Sequence, residues 1–179
     1  MSKLKDLTWA NHQKAERTEH AGKLLKGMDP HEYHRYLYNQ WVMYAMLENQ
    51  AEPSGVLKGI ETICRADAIH TDMIELEQEF DIKRDASLLC QVVADYADYV
   101  THMEDKDEFL AHIYVRHFGD MYGGQMIRKR NPGSGSMYDF ENVEALKATV
   151  RAMLHDDMAE EANICFEFAM QLFEELGSE

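Results

Sequence analysis

The stretch that decides the fold is FLAHIYVRHFGDMYGGQMIRKR, from Phe109 to Arg130, in which apolar residues recur at helical spacing on either side of three glycines. A glycine inside a helix costs about 1 kcal/mol relative to alanine, so Gly119, Gly123 and Gly124 make an unfavourable local sequence. One interpretation is that the missing Cβ atoms let a flat ligand lie against the main chain of a kinked helix. The other is a helix–turn–helix or a close helix contact. A phosphate-binding loop is disfavoured, because no strand precedes the glycines.

The rest of the chain also has the pattern of an all-α protein. Apolar residues recur at i, i+3, i+4 and i+7, there are only three prolines, and hairpin signals of the Asn-Gly type are missing. Asp29 followed by Pro30 predicts the start of a long helix, with Asp29 as its N-cap. We expect one domain over residues 1–179, with helices at about 2–20, 30–51, 56–80, 86–103, 109–130, 139–155 and 156–176, and a short turn of helix between the first of these and Gly27.

The composition excludes several classes of partner. The formal net charge is −15, which disfavours binding to nucleic acid or to an acidic membrane surface, because both are negatively charged. No apolar stretch approaches the roughly 18 residues that a spanning helix needs, so we expect a cytoplasmic protein without a membrane segment. Cys64, Cys90 and Cys165 are far apart and lack C-x-x-C spacing. They predict reduced core thiols rather than a disulfide framework or a thiolate zinc site.

Within the glycine-containing stretch, the run AHIYVRHFGDMYGGQ, from Ala111 to Gln125, resembles the signature of the heme oxygenase family. The resemblance implies a single-domain multi-helix bundle in which this segment is the distal helix, kinked at its glycines. The main chain of Gly119, Gly123 and Gly124 would then lie against one face of the heme. Tyr122 departs from the family, whose members often have a small serine at this position.

The resemblance also implies three catalytic residues on the same side of the heme. Asp120 matches the family's distal carboxylate, which holds ordered water that favours oxidation of the ring. Arg116, four residues earlier, is expected to orient that carboxylate, and Tyr44 in YAMLE matches the family's tyrosine. Without the resemblance, Arg116 and Asp120 are an ordinary i, i+4 ion pair worth about 0.2–0.5 kcal/mol.

The segment HQKAE, from His12 to Glu16, resembles the family's proximal segment. By that resemblance, His12 binds the heme iron and Glu16 hydrogen-bonds to the other ring nitrogen, which fixes the tautomer. Lys5 shares the helix face of these two residues and is expected to meet a heme propionate. Small Ala15 alongside lets a porphyrin approach. Trp9 stands near the position where relatives usually offer a second basic residue.

Further heme contacts are implied late in the chain. KATVR places Lys147 and Arg151 four residues apart and resembles the family's other propionate contacts, although without the resemblance they are equally well two solvated charges. Tyr114 is expected to add a hydroxyl to the same carboxylates. Phe166 and Phe173 are candidates for the pocket wall, although two phenylalanines seven residues apart more often belong to a core.

The resemblance implies an enzyme that opens heme with O₂ and electrons to biliverdin, as the IXα isomer, releasing CO and ferrous iron. Heme is then both the substrate and the oxygen-activating cofactor. We expect a ferredoxin as the electron donor and a bilin reductase as a downstream partner. Because ferredoxins are acidic, we expect the donor to dock on a local basic patch made of Lys14, Arg17, Lys23, Lys26, Arg128, Lys129 and Arg130.

Two alternatives stay open at the level of sequence. A heme-binding sensor or carrier with the same fold would form a stable oxygen complex rather than a bilin. A thiaminase-like hydrolase with the same architecture would need a cysteine nucleophile beside a carboxylate, and the sequence around the three cysteines indicates none.

Overall fold

The structure, a computed structural model, describes residues 2–178, and within them it contains α-helices, turns and short 3₁₀ segments but no strand. The prediction of an all-α fold is therefore confirmed. None of the helices in this part of the chain is both long and apolar enough to cross a membrane. The α-helices are α1 (Leu4–Glu16), α2 (Glu19–Lys26), α3 (Pro30–Ala51), α4 (Ala66–Phe80), α5 (Gln91–Thr101), α6 (Lys106–Arg130), α7 (Val143–Met153) and α8 (Ala159–Gly177).

Helix α3 forms the centre of the core. It packs against α4 and α5, and its Leu37, Met43 and Leu47 are fully buried. Helix α8 packs against both α1 and α6. Since each fully buried apolar side chain contributes about 1.5–3 kcal/mol, this packing fixes the position of α1 relative to α6.

The start of α3 is as predicted. The Asp29 carboxylate accepts hydrogen bonds from the main-chain N–H groups of His31 and Glu32, at 2.8 and 3.2 Å. Pro30 occupies the first helical position, where a missing N–H costs nothing.

The predicted first helix is wrong at its end. Helix α1 stops at Glu16, and α2 begins separately at Glu19. The break lies at Thr18, which has extended backbone and whose hydroxyl accepts from the N–H of Ala21 at 3.2 Å. Thr18 therefore caps a new helix instead of continuing the old one.

The helices predicted at 56–80 and 86–103 begin later than expected, at Ala66 and Gln91. The first is delayed because Gly59 has a φ of 86°, a left-handed conformation that interrupts a right-handed helix. The second is preceded by a short 3₁₀ turn.

Helix α6 runs without interruption from Lys106 to Arg130, through Gly119, Gly123 and Gly124. The helix–turn–helix interpretation of this stretch is therefore wrong. The carboxylate of Asp105 caps its start. The kink expected at the glycines stays a prediction.

Candidate functional site

A cleft of about 690 Å³ lies between α1 and α6. Its volume falls within the range of about 300–1,000 Å³ that is usual for small-molecule sites. Most of its lining is apolar, with a few charged groups at the rim. The residues that line it are Ser2, Leu4, Lys5, Trp9, His12, Glu16, Tyr114, Val115, Phe118, Gly119, Tyr122, Gly123, Arg151, Leu154 and Phe166. The HQKAE segment and the glycine-containing segment therefore face the same space.

His12 lies on the α1 wall of the cleft, with its side chain 40% exposed. Its Nε2 is 2.7 Å from Oε1 of Glu16, the pairing expected from the sequence. The imidazole stacks on Phe166 with 5.9 Å between ring centroids and meets Trp9 edge-on at 5.0 Å. Of the hydrogen bonds found in residues 2–178, none involves its Nδ1. One nitrogen is thus held by a carboxylate and the other is not engaged by protein, an arrangement suited to a metal ligand.

Gly119 and Gly123 lie on the α6 wall, one helical turn apart. A Cβ atom built on either glycine would meet nothing within 4 Å. Their main chain therefore borders the open cleft, and a flat ligand in the cleft can touch the helix backbone directly.

Among the predicted ligand contacts, Gly124, Phe173 and Ala15 do not line the cleft. A Cβ atom on Gly124 would come within 2.2 Å of Cδ1 of Tyr138, so this glycine lets α6 pack on that ring, contrary to the prediction. Phe173 stacks on His20 with 5.1 Å between centroids and belongs to the core instead. Ala15 is buried and does not border the cleft.

Asp120 forms a polar pair with Tyr44, a partner that the sequence did not predict for it. The Tyr44 hydroxyl donates to Oδ2 of Asp120 and lies 3.1 Å from the main-chain oxygen of Arg116. Burial raises the pKa of Asp120 to about 6, although the Tyr44 hydrogen bond and the nearby positive charges of His117 and Arg116 act to lower it. The carboxyl is therefore ionised at neutral pH but accepts a proton in mildly acidic solution.

Arg116 does not contact Asp120, contrary to the expectation for an i, i+4 pair. Its guanidinium instead donates to Oε1 of Gln40 at 3.0 Å and contacts Sδ of Met43 at 3.1 Å, because α3 offers these acceptors in the core. It also lies 5.4 Å from the ring centroid of Tyr44. The charge of Arg116 acts to lower the pKa of Asp120, although the two side chains share no hydrogen bond among those found in residues 2–178.

A buried histidine–glutamate pair beside this cluster is not predicted by the sequence. Nε2 of His117 is 2.9 Å from Oε2 of Glu48, and both side chains are almost completely buried. Glu48 also accepts from the N–H groups of Arg65 and Ala66 at 2.6 and 3.0 Å, so it caps the start of α4. His117 packs edge-on against Tyr44 at 4.8 Å and helps to position it. The i, i+4 spacing of Tyr44 and Glu48 on α3 was the available signal.

Cationic side chains lie at the rim of the cleft. Arg151 and Lys5 line it from α7 and α1, and Tyr114 lines it from α6. Lys147 lies next to the cleft, with its Nζ 4.0 Å from the ring centroid of Tyr122. The Tyr122 hydroxyl accepts a hydrogen bond from Nη2 of Arg151. Two of the predicted propionate contacts, Lys147 and Arg151, therefore lie together with Tyr122, an aromatic residue that the resemblance does not explain.

A family model described as heme oxygenase matches residues 1–175. The match covers almost the whole chain, so the chain belongs to the heme oxygenase family. The family assignment agrees with a cleft that has a histidine on one wall and a glycine-lined helix on the other.

Named relatives are similar over nearly the whole chain. It is 28% identical to heme oxygenase 2 of Macaca fascicularis over 97% of its own length, and it spans 64% of the length of that mammalian protein. It is 23% identical to a heme oxygenase of Pyropia yezoensis, covering 99% of this chain and 85% of the algal one.

Solved structures have the same fold. The structure of heme oxygenase from Leptospira interrogans superposes with a TM-score of 0.82 at 21% identity, covering 96% of this chain and 97% of that one. Heme oxygenase-1 of Synechocystis sp. PCC6803, solved in complex with heme, gives a TM-score of 0.77 at 23% identity, with coverage of 97% and 90%.

Proposed function

We propose that this protein is an enzyme that uses O₂ and electrons to open heme to biliverdin, as the IXα isomer, with release of CO and ferrous iron. The observation that supports this most is the pairing, across one cleft, of His12 on α1 with the bare main chain of Gly119 and Gly123 on α6. A histidine on one wall and a wall without Cβ atoms on the other suit the two faces of a flat porphyrin.

The residues present fit an iron porphyrin better than a bare metal ion. Within residues 2–178 no group of three or more His, Cys, Asp or Glu side chains is placed to hold a metal ion. A porphyrin supplies four nitrogen ligands itself and needs only one or two from the protein. His12 would supply that ligand, while Lys5, Arg151 and Lys147 would bind the carboxylate edge at the rim.

When bound, heme supplies both the iron that activates O₂ and the ring that is opened. The protein's part on the α6 side is to hold a proton and order water. Asp120 and Tyr44 share a hydrogen bond there, and the pKa of Asp120 is raised by burial to about 6. Nε of Arg116 and Nδ1 of His117 are buried without a protein partner, and ordered water is the usual partner of such atoms.

The test is to mix the purified protein with one equivalent of hemin and add ascorbate under air, with catalase present. Loss of the Soret band with the appearance of biliverdin is expected. Asp120→Asn should lower the bilin yield, and Asp98→Asn, at an exposed position on α5, should not. A stable heme spectrum in the unaltered protein would support the carrier alternative and contradict the proposal.

The hydrolase alternative lacks an accessible nucleophile. Burial acts to raise the pKa of Cys165, but the charges of His112 and Arg116 outweigh it and lower that pKa below its usual value. His112 is paired with Glu161 at 2.8 Å, so a thiol, an imidazole and a carboxylate do lie together. However, Cys165 is 0% exposed and does not border the cleft, so it has no route to a substrate.

The proposal extends to an electron donor, for which the predicted basic patch is the docking surface. Asn131 joins the ends of α2 and α6, accepting from the N–H of Met28 and donating to the main-chain oxygen of Leu24, both at 2.9 Å. The basic residues of α2 and α6 therefore lie at one corner: Lys23, Lys26, Arg128, Lys129 and Arg130. An acidic ferredoxin suits this corner despite the net charge of −15.

Charge reversal tests this docking surface. The double variant Lys26→Glu/Arg130→Glu should slow ferredoxin-supported turnover at low salt and leave the ascorbate-supported reaction unchanged. Lys83→Glu, an exposed lysine outside the patch, is the control. Equal ferredoxin-supported rates in the unaltered protein, the double variant and the control would contradict the proposed docking surface.

The proposal also includes a compartment and a downstream partner. Cys64 and Cys165 are free thiols, which suits a reducing compartment such as the cytoplasm. A bilin product also needs a consumer, and a bilin reductase is the proposed downstream partner.

A further inference from the structure

Tyr122 is the least expected residue at the site. It is 57% exposed although its neighbours along α6 are glycines and a buried methionine, and its ring borders the cleft. An exposed aromatic side chain at this position covers no core, so its surroundings at the cleft rim must account for it.

Those surroundings are two cations carried by α7. Nζ of Lys147 lies 4.0 Å from the Tyr122 ring centroid, close enough for a strong cation–π contact. Nη2 of Arg151 donates to the Tyr122 hydroxyl. One phenol thus engages both cations, the first through its ring and the second through its oxygen.

The cations keep most of their binding capacity in this arrangement. An arginine has five N–H donors, and only the one to Tyr122 is used among the hydrogen bonds found in residues 2–178. The nearest carboxylate to Lys147 is that of Glu144, 3.7 Å away and 90% exposed, so solvent weakens the pair. Two positive charges therefore face the rim with little neutralisation, which is the chemistry of a carboxylate-binding site.

An aromatic row connects this rim to the glycine wall. Tyr114, Phe118 and Tyr122 follow at intervals of four on α6, and adjacent rings are 5.6 and 6.2 Å apart. All three border the cleft beside Gly119 and Gly123. A flat ligand that lies on the two glycines therefore has its in-plane rotation limited by this aromatic row and by the cations at the end of the row.

We propose that Tyr122 is a positioning and specificity-determining residue for the porphyrin. Its hydroxyl holds Arg151 and its ring holds Lys147, so that the two cations together bind the carboxylate edge of the ligand at the α7 rim. The edge that is bound there determines which part of the ring lies on Gly119, the neighbour of Asp120 on α6. This inference rests on the proposed function and adds a residue that determines the orientation in which the porphyrin binds.

Two substitutions separate the hydroxyl from the ring. Tyr122→Phe keeps the surface over which Lys147 lies and loses the bond to Arg151. Tyr122→Ser removes both. Met126→Ala is the matched control, because Met126 is 60% exposed one turn further along α6 and does not border the cleft. Thermal unfolding without ligand checks that each variant is folded.

The experiment titrates each protein with hemin and with hemin dimethyl ester, whose carboxylates are blocked. It then measures the bilin isomers formed from hemin. For hemin, we expect the dissociation constant to rise about fivefold in Tyr122→Phe, as for loss of one typical hydrogen bond, and about tenfold in Tyr122→Ser, which also loses the cation–π contact. The ester should bind weakly and equally to all proteins, and Tyr122→Ser should give a mixture of isomers.

The outcomes separate the inference from the proposed function. If the unaltered protein binds hemin and yields bilin, but Tyr122→Ser binds hemin equally well and gives the same isomer, the inference alone is overturned. It is also overturned if Tyr122 substitutions weaken the ester and the free acid by the same factor. If the unaltered protein does not bind hemin, the proposed function fails, and this inference fails with it.

Discussion

A methyl group added at each of the two cleft glycines is expected to make the protein more stable and to weaken ligand binding. The change is Gly119→Ala/Gly123→Ala. Neither new Cβ atom would meet protein within 4 Å, so nothing in the protein opposes it. Each alanine should gain about 1 kcal/mol of helix stability. For a chain of this size, the two together should raise the melting temperature of the ligand-free protein by about 4–8 °C.

The same methyl groups would occupy the surface on which the ligand lies. Forcing a rigid ring away from a wall that it contacts costs about 1–3 kcal/mol, as in overpacked cores. A cost in the upper half of that range corresponds to hemin binding weakened by at least about thirtyfold. Stability and ligand affinity should therefore change in opposite directions, which an ordinary destabilising substitution does not do.

Gly124→Ala is the internal control, because its Cβ atom would lie 2.2 Å from the fully buried ring of Tyr138. A clash there costs about 1–3 kcal/mol against a helix gain of about 1 kcal/mol, so the melting temperature should fall. Differential scanning calorimetry of the ligand-free proteins and Soret titration with hemin measure the two quantities. The reasoning is refuted if the double variant binds hemin as tightly as the unaltered protein, or if it melts as low as Gly124→Ala.

Three further predictions concern single interactions. Because the folded-state pKa of Asp120 is raised from 3.8 to about 6, its contribution to stability is present below pH 3.8 and is lost as the pH rises through 6. Between pH 4 and 7, the free energy of unfolding of the unaltered protein should therefore fall by about 2–3 kcal/mol, as measured by urea denaturation. Asp120→Asn should not show this fall. Tyr44→Phe removes a hydroxyl that bonds to Asp120; it should destabilise the fold by about 1–3 kcal/mol and move the acid limb of the bilin-formation pH profile to higher pH. Thr18→Ala removes the cap of α2 and should cost about 1 kcal/mol, or about 2–4 °C in melting temperature, without affecting hemin affinity.

The features that could be predicted from the sequence depend on short spacings. Asp29 and Pro30 mark a helix start through their own chemistry, and α3 begins there. Lys5, His12 and Glu16 recur on one helix face, and all three line the cleft. Spacing within a helix determines which side chains lie together before any tertiary contact forms.

The features that could not be predicted depend on residues far apart in the chain. Gly124 looks like its neighbours Gly119 and Gly123, and only the packing of Tyr138 against it gives it a different role. Arg116 has a carboxylate one turn away, yet its donors turn to acceptors on α3. Periodicity carries no information about such partners, because they are chosen when helices pack.

The cations at the rim show the same limit. The sequence placed Lys147 and Arg151 on one face of a helix, but their shared contact with Tyr122 depends on how α7 lies against α6. The resemblance identified Tyr122 only as a departure from the family, whereas the structure shows its contacts with these two cations.

The most direct test of the account is a hemin titration followed by absorption spectroscopy, for the unaltered protein and for His12→Ala with and without added imidazole. The account predicts one equivalent of hemin bound by the unaltered protein, with the spectrum of imidazole-ligated iron. His12→Ala should lose that spectrum and regain it when imidazole is added. An identical spectrum in His12→Ala without imidazole would contradict the claim that the porphyrin lies between His12 and the glycine wall of α6.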